Sequence, residues 1–304
     1  MAVMQHNIHS KFILMPIIGT LQDAVNACAG IGNGIETQSL GEYVLQTTFL
    51  KMTGASEQKL KCICWEMATN DYDYRYRYLR KNYGECSSYS DKCSIYKDML
   101  DMIGKENVSF NVDRLFDDVD ISPKEEELIN NKILETQKLQ EAKKKRKLTE
   151  AEIEKLSKGM KAHFAKKGLC DKEKAHFSRV VLFDSIQDEI EKIIGNTLVA
   201  QWEQHSYNNY SQKWKTLSNY SFAEGDNLLV KELQDFYTDI VYAHRNRCAH
   251  NLGSYQNNLP TLKTLEDEKF IFDNYYFRFS ILILLDEIFV RLYKTYQEGM
   301  ERAI

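Results

Sequence analysis

The chain has 304 residues, of which 43% are hydrophobic, so it is long enough to bury the core of one large domain or of two ordinary ones. Only three prolines occur, and because a proline inside a helix costs about 3 kcal/mol, this low count favours an all-α fold. The net charge of -4 excludes a protein that is basic overall, and seven cysteines without a CxxC pair argue against a disulfide framework or a structural zinc site.

Targeting and membrane signals are not visible in the sequence. The N-terminus lacks a basic segment followed by an apolar segment and a cleavage site. The most apolar run covers residues 279–285, far short of the roughly 20 residues that span a bilayer. We therefore expect a soluble cytoplasmic protein that makes no membrane contact.

The first region, residues 1–121, is predicted to be helical. Apolar periodicity predicts helices near 10–29, 40–53, 56–82 and 88–104, followed by an acidic loop over 105–122. The third helix contains a tyrosine-rich stretch with Arg75, Arg77 and Arg80. This mixture is typical of surfaces that bind single-stranded nucleic acid, but tyrosines at helical spacing are also found in cores and interfaces. Both interpretations stay open.

A second region, residues 122–170, is predicted to be a charged helical hairpin or linker. Two capping boxes, one beginning at Ser122 and one at Thr149, predict the starts of two helices with few apolar residues. Residues 138–168 carry eleven Lys or Arg against four Glu, a net charge of +7. The most basic positions are Lys143, Lys144, Lys145, Arg146 and Lys147. They indicate either an RNA-binding patch or a solvated helix face.

The third region, residues 171–304, is predicted to be an up-and-down bundle of four or five helices. Apolar residues recur at helical spacing near 172–195, near 197–220, in a helix that starts after Gly225-Asp226, and near 266–300. Short connections between amphipathic helices are typical of such bundles.

The densest set of functional groups ends the penultimate predicted helix, just before Asn251-Leu252-Gly253. It reads Arg245-Asn246-Arg247-Cys248-Ala249-His250, preceded by His244. A histidine can take a proton from a 2′-hydroxyl near neutral pH, and arginine offers a fork of donors to a phosphate in the transition state. The alternative is a helix end in which Arg and His only offset the helix dipole, by about 0.3–1 kcal/mol.

The Arg245-Asn246-x3-His250 element resembles the signature of the HEPN superfamily, whose ribonuclease members carry an arginine, a polar residue and a histidine four to six residues after the arginine. The resemblance covers roughly residues 171–304. It implies a helical bundle, Arg245 as phosphate binder, His250 as base and Asn246 as polar neighbour, without a metal or a cofactor. The tyrosine that one subgroup carries two residues after the histidine is replaced here by Leu252.

The resemblance further implies an endoribonuclease that leaves 2′,3′-cyclic phosphate ends, works as a homodimer with paired motifs, and acts as a toxin or an antiphage effector. An antitoxin or a sensor protein is a further expected partner. His244 and Arg247 are additional candidate RNA contacts. The alternatives are a non-catalytic module that holds RNA or a nucleotide, and a helical adaptor that recruits a partner through its charged hairpin.

Overall fold

The computed structural model describes residues 8–28, 31, 38–80, 85–194, 220–250 and 275–303. Helices predominate among these residues, so the all-α expectation is confirmed at the level of fold class. The helices are α1 (Ile8–Leu14), α2 (Ile18–Ala27), α3 (Gln38–Asn70), α4 (Tyr72–Arg80), α5 (Tyr89–Glu106), α6 (Ser122–Lys144), α7 (Glu150–Lys167), α8 (Asp171–Ile194), α9 (Lys231–Phe236), α10 (Ala243–His250) and α11 (Tyr275–Ala303). A π-helical segment (Tyr237–Tyr242) joins α9 to α10, and Val112–Arg114 form a 3₁₀ turn.

The boundaries of the first helices differ from those predicted. Residues 10–29 form two helices because Pro16 lies between α1 and α2. The helix predicted over 40–53 and the first part of the helix predicted over 56–82 instead form one long helix, α3, which ends at Asn70. Asp71 then starts α4, since its Oδ1 accepts a hydrogen bond from the backbone N–H of Tyr74 at 2.7 Å.

The core of the first compact unit, Met1–Val112 with Asp184–Ile304, is built around α11. Residues 275–286 of this helix are all buried, including Arg278 and Asp286, so this part of α11 has no solvent-facing side. Helix α11 packs against α5, α3 and α1, and α10 packs against α3. The helices around the motif therefore come from both ends of the sequence, whereas the HEPN resemblance was carried by residues 171–304 alone.

A short β-hairpin precedes the motif helix. Strands β1 (Phe222–Glu224) and β2 (Asn227–Leu229) pair antiparallel across Gly225, whose φ of +52° suits the tight turn. The helix predicted directly after Gly225-Asp226 therefore begins later, at Lys231, because residues 227–229 pair as a strand. Tyr89 and Tyr96 of α5 hold the hairpin through hydrogen bonds to the backbone of Leu229 and Gly225.

The second compact unit, Asp113–Phe183, contains α6 and α7, which pack against each other. The capping box predicted at Thr149 is present: its Oγ1 accepts from the Glu152 N–H at 3.4 Å, and Glu152 accepts from the Thr149 N–H at 3.0 Å. Ser122 does not cap α6. Its hydroxyl donates to Asp120, and Ile121 occupies the N-cap position. The predicted regional boundaries at 121/122 and 170/171 stay predictions.

Several predictions fall on residues that the structure leaves undescribed. The helix predicted over 197–220 lies almost wholly outside the described residues, as do Asn251-Leu252-Gly253 and the start of the last helix before Tyr275. Within the described residues, none of the helices combines the length and the apolar character that crossing a membrane requires.

Candidate functional site

The motif lies at the end of a continuous helical stretch, residues 231–250, formed by α9, the π-helical segment and α10. Its buried positions are Leu233, Phe236, Tyr237, Val241, His244 and Cys248. They recur every three or four residues and so form one face, which leaves Arg245 and Asn246 at the edge of that face. The amphipathic pattern of this helix therefore decides which motif residues face the core.

Arg245 is held in place by a carboxylate from a distant part of the chain. Its Nη2 donates to Oε2 of Glu57 on α3 at 3.0 Å, and its Nη1 donates to Oδ1 of Asn246 at 3.2 Å. Both charged side chains are partly exposed. The guanidinium has five N–H donors, so these two bonds leave donors that a phosphate could use.

The Arg245–Glu57 pair continues into a row of alternating charges. Lys61 lies one turn further along α3 than Glu57 and binds the carboxylate of Glu85. The pKa of Glu85 is lowered, first by its hydrogen bond from Lys61 and further by the positive charge of Arg245. The row contains two positive and two negative groups, so it orients Arg245 without adding net charge to the site.

His244 belongs to the core. Its Nε2 lies 3.2 Å from the hydroxyl of Tyr275 and 3.4 Å from Sγ of Cys248, and its ring packs against Phe49 with centroids 5.1 Å apart. Burial, with smaller contributions from the charges of Arg278 and Arg247, lowers the pKa of His244 to about 2. A buried imidazole that is neutral near pH 7 can neither exchange protons with a substrate nor reach a phosphate from this position.

The other motif residues differ in how the structure places them. Arg247 is exposed, and Cys248 is a buried thiol next to His244. His250 is the last residue of α10, four positions after Asn246, so the two share a helix face. The side chain of His250 lies outside the described part of the structure.

Comparison of the chain with protein-family models, curated proteins and solved structures found no match. The site is therefore assigned from its own chemistry.

The basic cluster of the hairpin is separate from the motif in sequence and belongs to the other compact unit. Two of its five cations, Lys144 and Arg146, donate to Glu152 at 2.8 and 2.9 Å. The pKa of Glu152 is lowered well below its usual range, first by the hydrogen bond from Arg146. Lys143, Lys145 and Lys147 are exposed. Because Lys144 and Arg146 are paired with Glu152, fewer of the five cations are available to bind an anion than the sequence indicates.

Sequence reasoning missed the residues of α3 and α11 that lie beside the motif and His244. Glu57 and Arg278 are typical surface residues by their type, and nothing in the spacing of the chain relates them to Arg245 or His244. Glu57 and Lys61 do share a helix face, which is a weak signal of a charged site. Within the described residues, no group of three or more His, Cys, Asp or Glu side chains could hold a metal ion.

Proposed function

We propose that this protein is an endoribonuclease whose site is the Arg245-Asn246-x3-His250 element. The observation that carries the proposal is the fixed position of the Arg245 guanidinium, which Glu57 and Asn246 orient on a partly exposed helix edge, five residues before His250. A preorganised donor stabilises charge in the transition state without a reorganisation cost at the moment of reaction.

The reaction follows from these groups. The imidazole of His250 takes the proton of a 2′-hydroxyl, and the 2′-oxygen attacks the adjacent phosphorus. The bond from phosphorus to the 5′-oxygen breaks and this oxygen takes a proton from water, so the products are a 2′,3′-cyclic phosphate and a 5′-hydroxyl. His250 then releases its proton to solvent. Arg245 binds the non-bridging oxygens, where negative charge grows, and no step requires a metal or a cofactor.

The surroundings of the motif are part of the proposal. We assign α3, α5, α10 and α11 to a HEPN-like bundle, since α3 packs against the motif helix α10 and against α5 and α11. The protein works as a homodimer that brings two motifs together, in the cytoplasm, as a toxin or an antiphage effector restrained by an antitoxin or a sensor. Light scattering of the purified protein tests the dimer.

Cleavage assays test the activity directly. Wild type, His250→Ala and Arg245→Gln are incubated in EDTA with labelled tRNA and single-stranded RNA. We expect His250→Ala to lose about 10²–10⁴-fold in rate because it lacks the general base, and Arg245→Gln about 10²–10³-fold because it lacks a donor to the phosphate. His176→Ala, which removes an exposed imidazole of α8, should cleave like wild type. Mass spectrometry identifies the cyclic-phosphate ends.

A non-catalytic RNA- or nucleotide-binding module is the second candidate. The observation that favours it is the burial of His244, which leaves a single histidine of the motif to act as a base. In that case the folded wild type binds RNA through Arg245 and Arg247 but cleaves none, and Arg245→Gln and Arg247→Gln bind RNA more weakly than wild type. Equal cleavage by wild type and His250→Ala would contradict the assignment of the base.

A further inference from the structure

Helix α4 presents large apolar side chains to solvent rather than to the core. Tyr72, Tyr76 and Leu79 are 76%, 51% and 77% exposed. They recur at i, i+4 and i+7 and therefore lie on one face of the helix. Together with Arg77 and Arg80 they are called the α4 surface. The sequence allowed two interpretations of this stretch, a surface that binds nucleic acid or a set of core or interface tyrosines. The exposure of Tyr72 and Tyr76 excludes their burial in the core.

The α4 surface combines aromatic rings with the guanidinium groups of Arg77 and Arg80. The guanidinium of Arg80 lies 4.1 Å from the centroid of the Tyr76 ring, a stacking distance that leaves the ring half exposed. In the part of the chain that the structure describes, neither Arg77 nor Arg80 forms an ion pair with a carboxylate. Their charge is therefore available to an anion.

The other residues of α4 fix the helix in position. Arg75 donates to the backbone carbonyls of Ala68 and Thr69 at 2.6 and 3.1 Å and so caps the end of α3. Tyr74 is buried and stacks against Tyr78 with centroids 6.0 Å apart. The exposed face is thus the outer side of an anchored helix rather than a loosely attached segment.

The end of α4 lies close to the row of charges at Arg245. Arg80 is five residues before Glu85, so their Cα atoms are at most about 18 Å apart. Glu85 binds Lys61, which is one turn along α3 from Glu57, the partner of Arg245. A single strand of RNA could therefore contact both the α4 surface and the motif.

We propose that the α4 surface binds single-stranded RNA, stacking bases on Tyr72 and Tyr76 and holding phosphates with Arg77 and Arg80. Unpaired bases expose the ring faces that stack on tyrosine, whereas a duplex hides them between neighbouring pairs. Arg77 and Arg80 outnumber the exposed carboxylate of Asp73 on this helix, and the remaining positive charge matches the RNA backbone. The inference deepens the proposed function and rests on it for the identity of the substrate.

Binding assays test the inference in the full-length His250→Ala protein, so that no cleavage interferes. The probe is a fluorescent single strand of about 12 nucleotides containing 2-aminopurine, with a duplex of the same sequence for comparison. We expect Tyr72→Ala and Tyr76→Ala each to weaken single-strand binding about 5- to 100-fold and to reduce the quenching of 2-aminopurine that stacking causes. Tyr76→Trp, which keeps a stacking surface, should retain both.

The arginines are tested through salt dependence. Each phosphate contact to a single strand contributes about 0.7 to the slope of log affinity against log salt, so Arg77→Gln with Arg80→Gln should reduce the slope by about 1.4. Tyr43→Ala and Arg302→Gln are matched controls, because both residues are exposed on other helices, and should leave affinity and slope unchanged.

Three results would overturn the inference: variants that bind within twofold of the parent, a duplex that binds as tightly as the single strand, or variants that change only the oligomeric state in light scattering. The last result would assign the α4 surface to a protein interface.

If wild type cleaves RNA while the α4 variants bind normally, only this inference fails. If wild type cleaves no RNA but binding depends on α4, the proposed function fails instead.

Discussion

His244 and Arg245 are neighbours in the sequence but occupy opposite environments. His244 is 4% exposed and bonded to Tyr275, whereas Arg245 reaches the partly exposed carboxylate of Glu57. One step along a helix rotates the side-chain direction by about 100°, which is enough to separate a core residue from a site residue. His244, which directly precedes the motif, therefore has a structural role in the core.

The burial of His244 predicts a pH-dependent stability. Its pKa is about 2 in the folded protein and near 6.5 in an unfolded chain, so below pH 6.5 the unfolded state binds a proton that the folded state does not. Stability therefore falls as the pH falls. We expect protonation of His244 in the unfolded chain to lower the free energy of unfolding by about 2 kcal/mol when the pH falls from 7.5 to 5.

Urea unfolding of wild type and His244→Phe at both pH values measures this contribution. Phenylalanine keeps a ring against Phe49 but cannot be protonated, so the variant should lose about 2 kcal/mol less than wild type over this pH range. The other titrating groups are present in both proteins and cancel in the comparison. An identical pH dependence in the two proteins would contradict the burial of a neutral imidazole.

At the scale of elements, short-range signals located most helices but not their exact ends. Two capping boxes look alike in the sequence, yet only Thr149 caps a helix, while Ser122 is bonded to Asp120. A serine or threonine forms a cap only if its own backbone leaves the helical region, and the preceding loop decides that. Local spacing likewise did not indicate that residues 227–229 pair with β1 as a strand ahead of α9.

The two boxes make a matched test. Thr149→Ala removes a cap worth roughly 1 kcal/mol, so the amides in the first turn of α7 should exchange with solvent about fivefold faster. Ser122→Ala should leave exchange in the first turn of α6 unchanged, because its hydroxyl bonds outside the helix. Hydrogen exchange followed by mass spectrometry compares both turns in the same experiment. Equal acceleration in both helices would mean that Ser122 caps α6 in solution.

At the scale of the whole molecule, a buried ion pair joins distant segments of the first compact unit. Nζ of Lys59 on α3 lies 2.6 Å from Oδ1 of Asp286 on α11, and both side chains are 5% exposed. The backbone N–H of Ile17, between α1 and α2, donates to the other oxygen of Asp286 at 2.9 Å. Burial raises the pKa of Asp286 more than the attraction of Lys59 lowers it, so desolvation costs much of what the pair contributes.

Removing one partner of this pair should destabilise the protein more than removing both. We expect Lys59→Met to lower the unfolding free energy by about 3–5 kcal/mol, because Asp286 is left as a buried charge without its cation. The double variant Lys59→Met with Asp286→Leu should recover most of that loss, apart from the hydrogen bond to Ile17. Urea unfolding at pH 7 measures both. A double variant as unstable as the single one would show that the pair itself contributes the stability.

The sequence by itself determined the helical class, the approximate positions of most helices, and the place of the Arg245-Asn246-x3-His250 element on a helix. These features depend on interactions between residues three or four positions apart, which spacing and composition record directly. The exposure of the tyrosines on α4 was left open because a helical pattern does not specify which face another element covers.

Only the tertiary structure decided which residues surround the motif. Glu57 meets Arg245 across 188 positions, and Lys59 meets Asp286 across 227. Contacts at such separations arise from the packing of α10 and α11 against α3, and no periodicity within one segment encodes them. The chemistry of the motif was therefore visible in the chain, while the orientation of Arg245 and the burial of His244 follow from packing.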